Sequence, residues 1–167
     1  MANYISSQKT TDFEQSYPNA SSTATECAMN LVYTVDLMLK RISSFLQPFD
    51  LSPATGLVLS ILADSDAPLP PNQIAERLII SRATVTGLID TLERRGYVER
   101  HPHQTDRRML QIALTDTGRQ VANAFRPVVH QHEKVWMDAL NSSEQEQLLE
   151  FLERLQENLR YSAIHMS

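Results

Sequence analysis

Cysteine is nearly absent: one residue, Cys27, in a chain of 167. That leaves no intrachain disulfide framework and no Cys-rich zinc site. Glycine is scarce as well, four residues in all and none clustered, so there is no Gly-rich loop to cradle a phosphate and no nucleophile elbow. Long apolar runs are missing. The longest, around Gly56 to Ala63, is far too short to span a bilayer. Met1 to Ser22 is polar and lacks the apolar core of a signal peptide. The expected compartment is therefore the cytoplasm, where the sequon at Asn19-Ala20-Ser21 carries no meaning. No excess of positive charge is present either; a net charge of −5 argues against indiscriminate binding to nucleic acid or membrane. Scattered Ser, His and Asp make no catalytic triad, and no enzyme activity, cofactor or metal is expected. His101 and His103 share a strand face but lack a third ligand, and His130 and His132 diverge on a helix.

What is present is the composition of an ordinary globular protein, 42% apolar and 21% charged. At this length the chain holds one good-sized domain or two small ones with ample core. Charge is distributed unevenly. Between Arg77 and Arg108 seven arginines stand against four acids, while from Glu133 onward seven acids stand against three cations. A basic centre and an acidic end suit a protein that presents one face to phosphates, although a solvated charged surface would read the same way.

The stretch from Asn72 to Leu114 carries the clearest pattern. Ile74, Ala75 and Leu78 form one apolar face, Ile79-Ile80 turn the chain, and Ser81 is placed to cap a second helix. Val85, Leu88, Ile89 and Leu92 then fall at i, i+3, i+4 and i+7, one buried face. Gly96 can take the left-handed conformation that stops it. The period changes to two in Tyr97–His101 and Met109–Leu114, joined by the polar loop from Pro102 to Arg107. Helix, turn, helix and hairpin predict a winged helix-turn-helix over residues 51–114.

The flanks are different. Residues 1–22 read as a flexible arm, with short ordered pieces at Tyr4-Ile5 or Phe13. From Ala24 to Phe49, Leu31, Val35, Met38, Ile42, Phe45 and Phe49 make a helical face that Val32, Leu39 and Leu46 widen. So wide a face needs two partners, its own domain and a second copy. Ser52-Pro53 opens the next helix, expected to point Leu57, Val58, Ile61 and Leu62 inward. Asp64 to Pro71 carries three prolines and is expected to add a short edge strand to the hairpin. Thr115 to Gly118 starts a long helix to about Leu140, which Pro127 should kink. Ser142 and Gln145 form the expected capping box of the last helix, with Leu148, Leu152, Leu155 and Leu159 as its apolar face. The expected fold is mainly α with a small β-hairpin wing, and residues 23–50 and 115–167 form a helical dimerisation region.

With these residues assembled, the chain resembles the MarR family of transcription regulators. The pieces that carry the resemblance are Leu51-Ser52, Gln73-Ile74-Ala75, Ser81 to Thr86, Leu92 to Val98, the wing Asp106-Arg107-Arg108, and Leu114 to Gly118, in this order and spacing. The resemblance implies a homodimer on a pseudo-palindromic double-stranded DNA operator, a repressor more often than an activator. It further implies release from DNA by a small-molecule effector such as an aromatic acid, or by oxidation.

The DNA contacts follow from residue chemistry. Ser81, Arg82, Thr84 and Thr86 lie at the end of the recognition helix that approaches base edges. Arg82 can offer paired donors to a guanine, and the threonines can bond bases or phosphates and touch a thymine methyl. With the buried face assigned, Ala83, Thr86, Gly87 and Asp90 turn outward; Gly87 stands where relatives often carry a larger polar side chain. Arg94 and Arg95 are placed for phosphates or simply offset the helix dipole. In the wing, the resemblance has Asp106 steady Arg108 for the minor groove, with Arg107 free for phosphate. The effector crevice is expected between the first helix (Met38, Arg41, Ile42) and the second (Leu57). Two alternatives stand beside this function: a winged-helix protein-interaction module without DNA binding, and a thiol-based redox regulator acting through Cys27.

Overall fold

The computed structural model describes residue 13 and residues 15–102 and 110–165, with side chains as far as Tyr161. Tyr4-Ile5, His103 and the wing tip Asp106-Arg107-Arg108 lie outside the described residues. Phe13 is helical and its ring lies 5.1 Å from that of Tyr17.

Helix α1 runs Ser22–Leu46, starting two residues before the expected Ala24. Ser21 is the reason: its hydroxyl accepts from the Ala24 amide at 3.2 Å and satisfies one of the free donors of the first turn. The helix does not continue to Phe49. Pro48 lacks an amide to donate, so the chain tightens into a 3-10 turn, Gln47–Phe49, and leaves it through Asp50 in the left-handed region.

Helix α2 (Pro53–Ala63) starts where expected. Ser52 and Thr55 form a reciprocal capping box, with Pro53 in the first turn, where no amide bond is lost. Its inner face is corrected by the structure. Leu57 is half-exposed at 52%, and Leu59 is fully buried with Val58 and Leu62. The segment is apolar almost all round, so periodicity alone could not choose which side faces the core. Packing against α1 chose it. A Cβ at Gly56 would lie 2.8 Å from a methyl of Leu46, so the glycine lets the two helices approach.

Helix α3 (Pro71–Leu78) and helix α4 (Arg82–Arg94) make the helix-turn-helix. Ile74, Ala75, Val85, Ile89 and Leu92 are buried, and Leu88 is half-buried. The turn between them is strained. Ile79 caps α3 in the left-handed region, φ 55° and ψ 43°, which a β-branched residue takes at a cost of about 1–2 kcal/mol. Its side chain is 68% exposed and recovers little of that by burial. Ile79→Asn should therefore raise stability by about 1 kcal/mol, since asparagine tolerates this conformation at a helix end. A variant melting below the parent would refute the strain.

Beyond α4, Gly96 (φ 69°) ends the helix. Strands β1 (Val98–Pro102) and β2 (Leu110–Leu114) pair antiparallel, with Val98 opposite Leu114 and Pro102 opposite Leu110. The edge piece expected between Asp64 and Pro71 is a single bridge. Leu69 exchanges both backbone bonds with Ile112, at 3.0 and 2.8 Å. Val98 and Ile112 send their side chains into the core beneath.

Helix α5 (Asp116–Met137) begins at a joint with the hairpin. Thr115 donates its amide to the Tyr97 carbonyl and its hydroxyl to the Gly96 carbonyl, while that hydroxyl oxygen accepts from the Gly118 amide. The helix stays continuous through Pro127 and stops at Met137, short of Leu140. Helix α6 (Ser142–His165) is capped one residue earlier than expected. Asn141 and Glu144 form the reciprocal pair, at 2.8 and 3.1 Å, in place of Ser142 and Gln145. Asparagine caps as well as serine, and Glu144 is three residues on. Gln145 instead donates to the carbonyls of Met137 and Leu140 and closes the α5–α6 turn.

Contacts divide the chain into two compact units at Phe125/Arg126. The first holds α1 together with the winged-helix elements. The second holds the end of α5 and α6.

Candidate nucleic-acid interface

The recognition helix α4 is presented with its N-terminal half outward. Ser81 precedes it in extended conformation, and its hydroxyl accepts from the Thr84 amide at 3.1 Å while sharing a hydrogen bond with the Thr84 hydroxyl at 2.8 Å. Thr86 donates its hydroxyl proton to the Arg82 carbonyl at 2.9 Å. These bonds hold the first turn, so the three hydroxyls are already engaged before any ligand arrives. Arg82 is exposed at the first position of the helix, and Ala83, Thr86, Gly87 and Asp90 line the exposed side behind it. The turn and the two helices also border an open groove of about 420 Å³, lined by residues that include Ile79, Ile80, Ser81 and Arg82.

The arginines at the other end of α4 are held elsewhere. Arg94 bends back along its own helix, donating to the Asp90 carbonyl and the Thr91 hydroxyl, each at 3.3 Å. Arg95 pairs with Asp50 at 2.7 Å, toward the turn between α1 and α2. A 13-residue helix is about 20 Å long, so neither meets the groove that Arg82 faces.

Arg100 was not singled out by the sequence, where it counted only toward the basic total. In the structure its guanidinium, on β1, reaches across to both Asp90 and Glu93 of α4. The two acids lie three residues apart on one helix face, and the arginine offsets the charge of Asp90, which stands on the outward side of α4. No local pattern announces this contact; it exists because the hairpin folds back over the helix it follows.

The remaining candidates fall apart from one another. Met38 and Ile42 are half-buried on α1, whereas Arg41 and Leu57 are exposed. None of the four lines the open cavity of about 550 Å³ further along α1, which is bordered by Ser43, Ser44, Gln47, Asp50 and Arg95 among others. Cys27 is exposed on α1. His101 pairs with Glu99 and His130 with Glu133. Among the described residues no three metal-ligating side chains come together. Among the same residues no single helix is long and apolar enough to cross a membrane.

A strained tight turn, an exposed helix after it and a hairpin braced onto that helix define a winged helix-turn-helix protein. Residues 49–109 match the model of the MarR family. The chain is 28% identical over 150 residues to the HTH-type transcriptional repressor YetL of Bacillus subtilis, covering 89% of this chain and 90% of that one. It is 30% identical over 91 residues to the regulator SarZ of Staphylococcus aureus, covering 54% of this chain and 61% of SarZ. Among solved structures it superposes on a complex of S. aureus MepR with DNA, with a TM-score of 0.75 and 26% identity over 79% of this chain and 96% of that one. Residues 49–109 are thus a MarR-family region, and the named relatives and structural neighbours are transcription regulators.

Proposed function

We propose that this protein is a homodimeric, sequence-specific DNA-binding repressor that a small-molecule effector releases from its operator. The observation that carries the DNA reading is the presentation of α4, with Arg82 exposed at its first turn and the acids Asp90 and Glu93 both paired with Arg100. The likeness to a MepR–DNA complex and to a named repressor supports it.

In this reading Arg82 reads a base pair, and the amides behind Ser81 favour a phosphate. Thr84 and Thr86 touch bases or their methyls. The wing carries Arg108 to the minor groove, oriented by Asp106, with Arg107 on phosphate. Arg94 and Arg95 reach phosphates only by exchanging their present bonds. Two-fold symmetry places the recognition helices in successive major grooves, so the operator is a pseudo-palindrome with half-sites about 10 bp apart.

The dimer is supported by apolar surface that a single chain leaves open. Val32, Val35 and Leu39 on α1 and Leu149, Phe151 and Leu159 on α6 are each more than two-fifths exposed. A pairing of residues 23–50 and 115–167 with the same segments of a second copy would cover it. Effector release is what the likeness to the family supports. Met38, Arg41, Ile42 and Leu57 are its proposed walls, with Arg41 receiving a carboxylate. Arg41→Ala should then blunt effector-induced release, and unchanged release would remove Arg41 from the site.

The test of the function is a gel shift on the DNA upstream of the protein's own gene, with and without aromatic acids. Retardation that an acid reverses is expected. Arg82→Ala should abolish discrimination at one base position per half-site, a loss of roughly 1–3 kcal/mol. Equal, weak binding to any duplex by the parent protein would overturn the reading.

A further inference from the structure

Gly87 has no structural reason to be glycine. It lies in the middle of α4, its backbone is ordinary helix, and a Cβ built there meets nothing within 4 Å. The other three glycines each have a use within the chain. Gly96 adopts a positive φ, Gly56 admits Leu46, and Gly118 lies against the Tyr97 carbonyl. An exposed glycine in a helix interior shifts the folding equilibrium toward the unfolded chain about fivefold relative to alanine. A gain outside the folded chain must offset that loss, and the obvious gain is a surface that approaches the helix backbone more closely than a Cβ permits.

The neighbours indicate what that surface is. Thr86, one residue before, has given its hydroxyl proton to the Arg82 carbonyl, which leaves it no donor for a base. Ala83, one turn earlier, has only a methyl. Asp90, one turn later, is turned to Arg100 and its charge is met. Around Gly87 the outward side of α4 thus offers the methyl groups of Ala83 and Thr86 and backbone that no side chain of its own covers. In the major groove the edge that suits such a surface is the C5-methyl of thymine, the one apolar group displayed there.

We infer that α4 seats its backbone at Gly87 against thymine methyls, so that each half-site is specified at its centre by van der Waals contact with T and at one side by the hydrogen bonds of Arg82. This rests on the DNA reading proposed above. It adds to it the chemistry that is read, and it assigns Gly87 as a specificity-determining position.

The experiment begins with selection of duplexes by the parent protein from a random pool, which tests the DNA reading by itself. Each thymine of the selected half-site is then replaced singly by uracil, which lacks only the methyl. One or two positions per half-site should lose about fourfold in affinity, the value of one buried methyl-sized group. Gly87→Ala should melt about 2–4 °C higher than the parent, because the helix is improved. It should bind the selected duplex roughly 5- to 100-fold more weakly, because the close approach is lost. The uracil penalty at the same positions should vanish in that variant, since the two changes remove one contact. Gly87→Leu should bind more weakly still. Selection of no sequence would overturn both the DNA reading and this inference. A selected sequence that tolerates uracil everywhere, or that Gly87→Ala binds as tightly as the parent does, would overturn this inference and leave the DNA reading standing.

Discussion

Gly118→Ala should unfold this protein more readily than any other single methyl added to it. The new Cβ would lie 1.9 Å from the carbonyl oxygen of Tyr97, and 2.8 Å from the carbonyl carbon. Neither atom can yield by turning a side chain, because both are backbone. That oxygen also accepts the Thr115 amide at 3.1 Å, so moving it breaks the joint through which the hairpin and α5 are held together. Overpacking against fixed backbone costs about 3 kcal/mol or more. For a chain of this length that lowers the melting temperature by roughly 6–12 °C. A thermal melt by circular dichroism measures it. A variant within about 2 °C of the parent would mean that the joint is softer than its geometry implies.

The second large effect expected is on assembly. Leu155→Glu with Leu159→Glu should convert the proposed dimer to monomer. The two leucines lie on one face of α6, one turn apart, and are 38% and 61% exposed in the single chain. Two-fold symmetry would bring four of them into the interface. At about 1.5 kcal/mol apiece they contribute on the order of 6 kcal/mol, or roughly 10⁴-fold in the dissociation constant, before any charge is buried. Sedimentation equilibrium reads the mass directly. Since both side chains are open in the monomer, its helical content should survive. A parent protein that is monomeric, or a double variant that stays dimeric, would refute this interface.

The recognition unit could be read from residue order because each of its signals is local. Ser81 caps α4 through its own hydroxyl, Gly96 ends it through its own φ, and Val85, Ile89 and Leu92 are buried because their spacing places them on one side. The hairpin was legible for the same reason, its alternation being a property of adjacent residues. Where several neighbouring residues could serve equally, the outcome moved by one to three positions. The cap of α6 went to Asn141 instead of Ser142, and α1 gave way at Pro48 before its apolar face was exhausted.

By itself the sequence determined the class of the fold, the identity of the exposed helix and the residues at its start. Only the tertiary structure decided which side of α2 is buried, where Leu59 displaced Leu57, because an all-apolar helix has no preferred face until something packs on it. It also decided that Arg95 belongs to Asp50 and that Arg100 joins β1 to α4. An ion pair depends on where two chain segments come to rest, and charge counted along a sequence does not contain that distance. The same holds for the glycines. Gly87 and Gly118 look alike in the sequence, and only the atoms around Gly118 and the open space around Gly87 separate the one the fold requires from the one it does not.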